Sequence, residues 1–175
     1  MLGLKHGVNM LVDYDPSWEI AFAAERDRIA AALGETAKDI QHYGSTAVAG
    51  MRAKPIIDIL VGVRPLSDWE LCLEPLIELG YDFAEHAGVP GHYIFGKGRD
   101  PTERTHLVHV VEFEGESWRS NLALRDALRR DASLRQAYVA AKEAAISEAP
   151  FGRARYNDLK RNFIDATKAK LNPSS

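Results

Sequence analysis

A single carboxylate, Asp58, interrupts the apolar run Pro55-Ile-Ile-Asp-Ile-Leu-Val-Gly-Val63. Just upstream stands His42-Tyr-Gly-Ser-Thr-Ala-Val-Ala-Gly50, with two hydroxyls between two glycines. Side chains of an extended strand alternate faces, so Ile57, Ile59 and Val61 share one side and Ile56, Asp58 and Leu60 the other. A buried carboxylate without a partner is costly, so Asp58 must meet a cation, a donor network or water. Three roles remain open for it: metal ligand, base or orienting group, and structural acceptor. Gly44-Ser45-Thr46 supplies hydroxyls and backbone N–H groups of the kind that cradle phosphate oxygens. Taken alone, the same tripeptide also reads as an ordinary turn.

A second group of reactive types lies in Arg104-Thr-His106-Leu-Val-His109. A neutral histidine near a carboxylate serves as general base or metal ligand. Alternation groups His109 with Leu107, Val111 and Phe113, and His106 with Val108, Val110 and Glu112, unless a bulge intervenes. A hydrogen-bonded core histidine is the competing reading of each. Lys54 and Arg104 offer positive charge to phosphate or carboxylate groups. Lys97, in Gly96-Lys97-Gly98, offers the same from an expected mobile loop.

These residues need elements to hold them. A short strand is expected over Val8–Tyr14. A helix follows Asp15-Pro16, with Trp18, Phe22, Ile29 and Leu33 at helical spacing and Gly34 as its stop. Strands are expected over Asp39–Tyr43, Pro55–Val63, Tyr81–Ala84, His92–Gly96 and Thr105–Phe113. A helix spans Ser67–Leu79, and a Gly/Pro turn precedes His92. Beyond Ser117 the periodicity is helical, over roughly 117–130, 132–148 and 153–171, with Asp131 as a cap. The expectation is a single domain: a sheet core over about 8–113 and a helical half over about 117–171. Strands first and helices afterwards predict an α+β fold with a mixed sheet.

Composition narrows the partners. The chain has 175 residues and a net charge of −3. Residues 1–90 carry 7 Lys/Arg against 14 Asp/Glu, and residues 91–175 carry 15 against 11. That asymmetry suits a small anionic ligand and is too weak to indicate nucleic-acid binding. The lone cysteine, Cys72, excludes an internal disulfide and reads as a core thiol. No apolar run approaches membrane length and no secretory leader is evident, which points to a cytoplasmic protein without a membrane partner. Oligomeric state leaves no mark in the sequence.

Taken together, these motifs resemble the GrpB family. The likeness rests on His42–Gly50 followed by Lys54–Val63, on Tyr14-Asp-Pro-Ser-Trp18, and on Arg104-Thr-His106-Leu-Val-His109-Val-Val111. It extends to Trp118-Arg119, Leu124-Arg-Asp-Ala-Leu128, Tyr138 with Lys142, and Tyr156 with Lys160. The resemblance implies a nucleotidyltransferase-like fold related to the polymerase β superfamily. In that superfamily a Gly-Ser loop precedes a strand bearing Asp-x-Asp, whose carboxylates hold divalent metals around a nucleotide. Here Leu60 stands at the second position. The resemblance therefore implies one Mg²⁺ at Asp58, completed by Glu112 or by ligand phosphates. His42, Gly44, Ser45, Thr46, Lys54, Lys97 and Arg104 would bind the phosphate-bearing ligand or nucleotide, and His106 or His109 would assist as base or ligand. Gln41, Ala49 and Leu107 depart from the family's usual Glu, Pro and His. Two alternatives accompany the transferase reading: a catalytically inactive binding module, and a hydrolase using His106, His109 and Asp58 around Zn²⁺ or Mn²⁺. A basic helical wall, including Arg125, Arg129, Arg135 and Lys160, is expected either as a solvated face or as the far side of the ligand cleft.

Overall fold

The computed structural model describes residues 1–85 and 89–171. The strongest strand is β3 (Ile57–Val63), as its β-branched run demands. It pairs antiparallel with β2 (Asp39–Tyr43) and parallel with β7 (His106–Glu112). Beyond β7, β5 (Tyr93–Lys97) and β4 (Asp82–Phe83) continue the sheet antiparallel, giving the order β2-β3-β7-β5-β4. The fold is thus α+β with a mixed sheet, and three helices follow the last strand.

Both faces of the sheet are covered. Helix α1 (Ser17–Leu33) brings Trp18, Ile29 and Leu33, and α2 (Trp69–Glu78) brings Cys72 and Leu76, onto one face. They pack on Ile57, Ile59, Val61 and Val63 of β3, Val108 and Val110 of β7 and Phe95 of β5. Cys72 is indeed a buried free thiol, pushed up to about 11 by burial. The opposite face holds Tyr43, Leu60 and Val111 under Trp118 of α3 (Glu116–Arg130). Leu124 and Leu128 of α3 and Tyr138 of α4 (Ala132–Glu148) close over Val48 and Met51, so the helical half rests on the Gly-Ser loop. The Asp131 carboxylate accepts from the Leu134 N–H at 3.0 Å and starts α4, as its residue type predicts. Helix α5 (Ala154–Leu171) packs beside α4, with Phe163 stacked on Tyr138. Among the described residues no helix is long and apolar enough to cross a membrane.

Several expected elements differ. Val8–Tyr14 forms no strand. It makes two isolated bridges, Val8 to Phe151 and Val12 to Ala53, because its backbone partners lie in separate segments rather than along one edge. Two short strands were not expected: β1 (Leu4–Lys5) and β6 (Glu103–Arg104), which pair with each other. Part of the turn expected before His92 lies outside the described residues.

The α1 face of the sheet also encloses charge. Glu25 of α1, only 2% exposed, accepts from Lys97 at 2.5 Å and from the Tyr81 hydroxyl at 2.7 Å. Burial pushes the Glu25 carboxyl up, and these two hydrogen bonds more than offset it, leaving its pKa below the usual value. The wild-type contribution is therefore present above the ordinary carboxylate pKa and lost as pH falls through the lowered folded value. Lys97→Met removes the shorter of two cation contacts to Glu25, leaving exposed Arg28 at 3.4 Å, a change that costs up to about 3–5 kcal/mol. The sign then reverses: with burial opposed only by Tyr81 and Arg28 the Glu25 pKa rises, and the defect shrinks as pH falls. Urea unfolding of Lys97→Met at about pH 7.5 and about pH 5 should show a smaller loss at the lower pH.

Candidate functional site

Asp58 emerges from β3 on the α3 face, in register with Tyr43 of β2 and Leu107 of β7. Its carboxylate lies against Gly44. A Cβ at position 44 would stand 2.8 Å from Asp58 Oδ2, and Gly44 has φ +73°, a backbone region L side chains rarely adopt. Glycine at 44 thus lets the chain reverse directly over the acid. A short 3-10 turn, Ser45–Ala47, follows. The first bond within it runs from the Ala47 N–H to the Gly44 carbonyl, so the Ser45 and Thr46 N–H groups precede its hydrogen-bonded part.

Three lysines from three segments converge on this point. Lys142 of α4 is 2% exposed, and its Nζ donates to Ser45 Oγ at 2.9 Å and to the Arg52 carbonyl at 3.0 Å. Lys54, just before β3, donates to Asn9 Oδ1 at 2.7 Å, and its Nζ sits 3.7 Å from the centre of the Tyr156 ring. Lys160 of α5 approaches the same ring at 5.6 Å. Burial lowers Lys142 and Lys54 to about 7 each, and mutual repulsion with Lys160 adds to it. Burial likewise lowers Lys160. The charge of Asp58 opposes the shift at all three. Among the described residues, none of the three has a carboxylate oxygen within 4.0 Å.

His109 shares this face. Its Nε2 lies 3.5 Å from Asp58 Oδ1, and that nitrogen is buried without a hydrogen bond. Its Nδ1 is 3.3 Å from Nδ1 of His92, and Tyr43 packs edge-on against its ring. The structure thus gathers Asp58, His109, Gly44, Ser45 and Lys54 on one face of the sheet and adds Lys142 and Lys160.

Other expected site residues lie elsewhere. His106, Val108 and Val110 face α1, as alternation requires without a bulge. His106 hydrogen-bonds with Thr105 at 2.8 Å, and burial, with the nearby Lys97 and Arg28 charges, lowers it to about 4 despite Glu25. Lys97 ends β5 and is bound to Glu25 rather than carried on a mobile loop. His42 is stacked on Phe22 and hydrogen-bonded to the Thr46 hydroxyl at 3.0 Å. Thr46 in turn donates to the Ile56 carbonyl at 3.3 Å, so this pair braces the loop from behind. Arg104 is on the Asp58 face but two strands farther, over Gly96 and paired with Asp82 at 2.7 Å. Glu112 is exposed, faces the other side and lies five residues along β7 from the Asp58 level, about 16 Å away.

The donor set does not fit a protein-held divalent centre. Leu60 is fully buried in an apolar layer, and Glu112 is remote. Three ammonium groups interact electrostatically with the one carboxylate, and His106 and His109 point to opposite faces. Among the described residues no three His, Cys, Asp or Glu side chains converge. The arginines of α3 do not form the wall expected across the cleft. Arg125 donates to Gln41 Oε1 and the His42 carbonyl, and Arg129 to the Ala47 carbonyl, each at 2.9 Å.

Lys142 and Lys160 carried a legible signal. Tyr138 with Lys142 and Tyr156 with Lys160 repeat one spacing of four, which puts ring and ammonium on the same helix face. The ring centre of Tyr138 lies 4.6 Å from Lys142 Nζ.

A family model described as GrpB protein matches residues 9–170. The chain is 36% identical over 168 residues to the glutamate-rich protein GrpB of Alkalihalophilus pseudofirmus, spanning 94% of this chain and 97% of that one. It superposes on the conserved protein GrpB from Enterococcus faecalis with a TM-score of 0.78 at 27% identity, over 92% of this chain and 98% of that one. The Cid1 poly(U) polymerase in its Mg 3'-dATP bound form gives a TM-score of 0.53 at 17% identity, over 85% of this chain and 49% of the polymerase. That similarity shows a shared nucleotidyltransferase fold.

The contact between position 44 and Asp58 is directly testable. Gly44→Ala should cost about 1–3 kcal/mol from backbone strain, plus displacement of the carboxylate. Gly50→Ala, also at positive φ but with nothing within 4 Å of the added methyl, should cost less. Chemical denaturation of both variants measures the difference.

Proposed function

The chain belongs to the GrpB family, and from that premise we propose that its cleft binds a small molecule bearing two or more phosphates, such as a nucleoside triphosphate. One observation carries the reading: three lysines, Lys142 buried and Lys54 and Lys160 half-buried, stand near one another without a carboxylate oxygen within 4.0 Å among the described residues. Holding unneutralised cations out of water costs several kcal/mol, and a polyanion removes that cost on binding. Ser45 Oγ and the first N–H groups of its turn add donors beside the ammonium groups. The shared fold supports a nucleotide as the anion to try first, since the Cid1 structure holds Mg 3'-dATP.

Asp58 has a different task from a metal ligand in this reading. As the one carboxylate near three ammonium groups, it favours their charged forms and faces His109 on its other side. Binding is in this reading separated from metal-dependent nucleotidyl transfer, because Leu60 leaves no second acid on the strand. A binding module and a transferase share this ligand, and turnover of the bound nucleotide distinguishes them.

Calorimetry with ATP and with pyrophosphate tests the proposal. Both should bind, and Lys54→Met and Lys160→Met should each weaken binding at least about tenfold, or about 1.4 kcal/mol. Lys54 is partly neutral in the free protein near pH 7, and a phosphate raises its pKa. Binding therefore takes up protons, and affinity should fall as pH rises from about 7 to about 9. Titrations in buffers of different ionisation enthalpy read the uptake. Wild-type protein that gives no signal with either anion at millimolar concentration sinks the reading.

A further inference from the structure

Ser45 has a closer relation to Lys142 than phosphate binding requires. Lys142 reaches it from α4, 97 residues along the chain, and places Nζ 2.9 Å from Ser45 Oγ. The second Nζ contact, to the Arg52 carbonyl at 3.0 Å, calls for an N–H. An ammonium donates to both oxygens; once neutral, the amine keeps the Arg52 contact and accepts the Ser45 proton on its lone pair. Burial makes that neutral form available, since it lowers Lys142 to about 7. Tyr138, the other polar neighbour, is not the base: burial pushes it up to about 12, with Ser45 only easing the shift. Thr46 is not the nucleophile, because its hydroxyl is 1% exposed and bound to His42 and to Ile56. Ser45 is half-buried and directly follows the chain reversal at Gly44.

We propose that Ser45 and Lys142 form a nucleophile–base pair acting on the phosphorus of the bound ligand. The inference rests on the phosphate-binding reading for its substrate class, a phosphoanhydride. Ser45 Oγ forms a bond to phosphorus, and the bridging P–O bond breaks. The leaving phosphate or diphosphate departs with the electron pair, and the serine proton passes to Lys142 Nζ. Lys54, charged once the phosphate is bound, and Lys160 hold the phosphoryl oxygens, so the three lysines divide into one base and two anion holders.

An alkyl fluorophosphonate probes the pair directly. Ser45 Oγ displaces fluoride from phosphorus, and the proton again goes to Lys142. Mass spectrometry of the full-length protein and its peptides should find one adduct, on Ser45. The labelling rate should rise with pH through about 7 and level off above it. Pyrophosphate should slow it, and Ser45→Ala should abolish it. Lys142→Arg keeps the charge but cannot release the proton. It should lower the rate at least about 100-fold, a larger loss than any fall in pyrophosphate affinity, which should stay within about tenfold. Wild-type protein that binds pyrophosphate but stays unlabelled at Ser45 at about pH 9 overturns the pair and leaves the binding reading intact. Labelling of Lys142→Arg at the wild-type rate does the same. Labelling at Ser45 without any pyrophosphate affinity overturns the binding reading instead.

Discussion

Positive charge enclosed without an opposing carboxylate is the constraint around which the cleft is organised. A lysine ammonium is strongly hydrated, and withdrawing it from water near two others of its kind favours the neutral amine. Lys54, Lys142 and Lys160 accept that situation because each is anchored by something other than an acid: Asn9, Ser45 and Arg52, and the faces of Tyr138 and Tyr156. Those anchors come from opposite ends of the chain. The N-terminal segment is fixed through Asn9, whose amide donates to the Ala149 and Gly152 carbonyls at 2.9 and 2.8 Å. This explains why Val8–Tyr14 runs as single bridges rather than as a strand.

The two faces of one sheet offer a comparison. On the α1 side, Glu25 meets Lys97 and Tyr81, and every charge has its complement. On the α3 side, one carboxylate faces three ammonium groups. Both are buried polar clusters with shifted pKa values, so perturbation alone does not separate structure from function. Compensation does. The first cluster is complete within the protein, whereas the second leaves positive charge that the proposed anion would complete.

The sequence made much of this legible. The β-branched run around Asp58, the glycine turn before it and the helical periodicity after Ser117 placed the main elements, because each pattern has one strong physical solution. Alternation along β7 already separated His106 from His109, and the structure keeps that separation. Long-range partners were harder to read. Nothing local to Lys97 indicates Glu25, 72 residues away, and nothing local to Ser45 indicates Lys142. The paired Tyr–Lys spacing in the two last helices carried that information, but only their packing shows which face turns inward. His92 escaped notice because a lone histidine at a strand entrance has no periodicity to mark it.

The two arginines of α3 have a consequence beyond holding the loop. β2 ends the sheet order, so its outer backbone groups have no strand partner. Such a margin is a template on which another chain can add a strand and begin to aggregate. Arg125 occupies the His42 carbonyl on that margin, and Arg129 caps the Ala47 carbonyl just beyond it. A guanidinium cannot be displaced by an incoming amide without leaving its own charge poorly solvated. The helical half therefore shields β2 from intermolecular strand addition, and colloidal stability is built into the same contacts that hold the Gly-Ser turn in place.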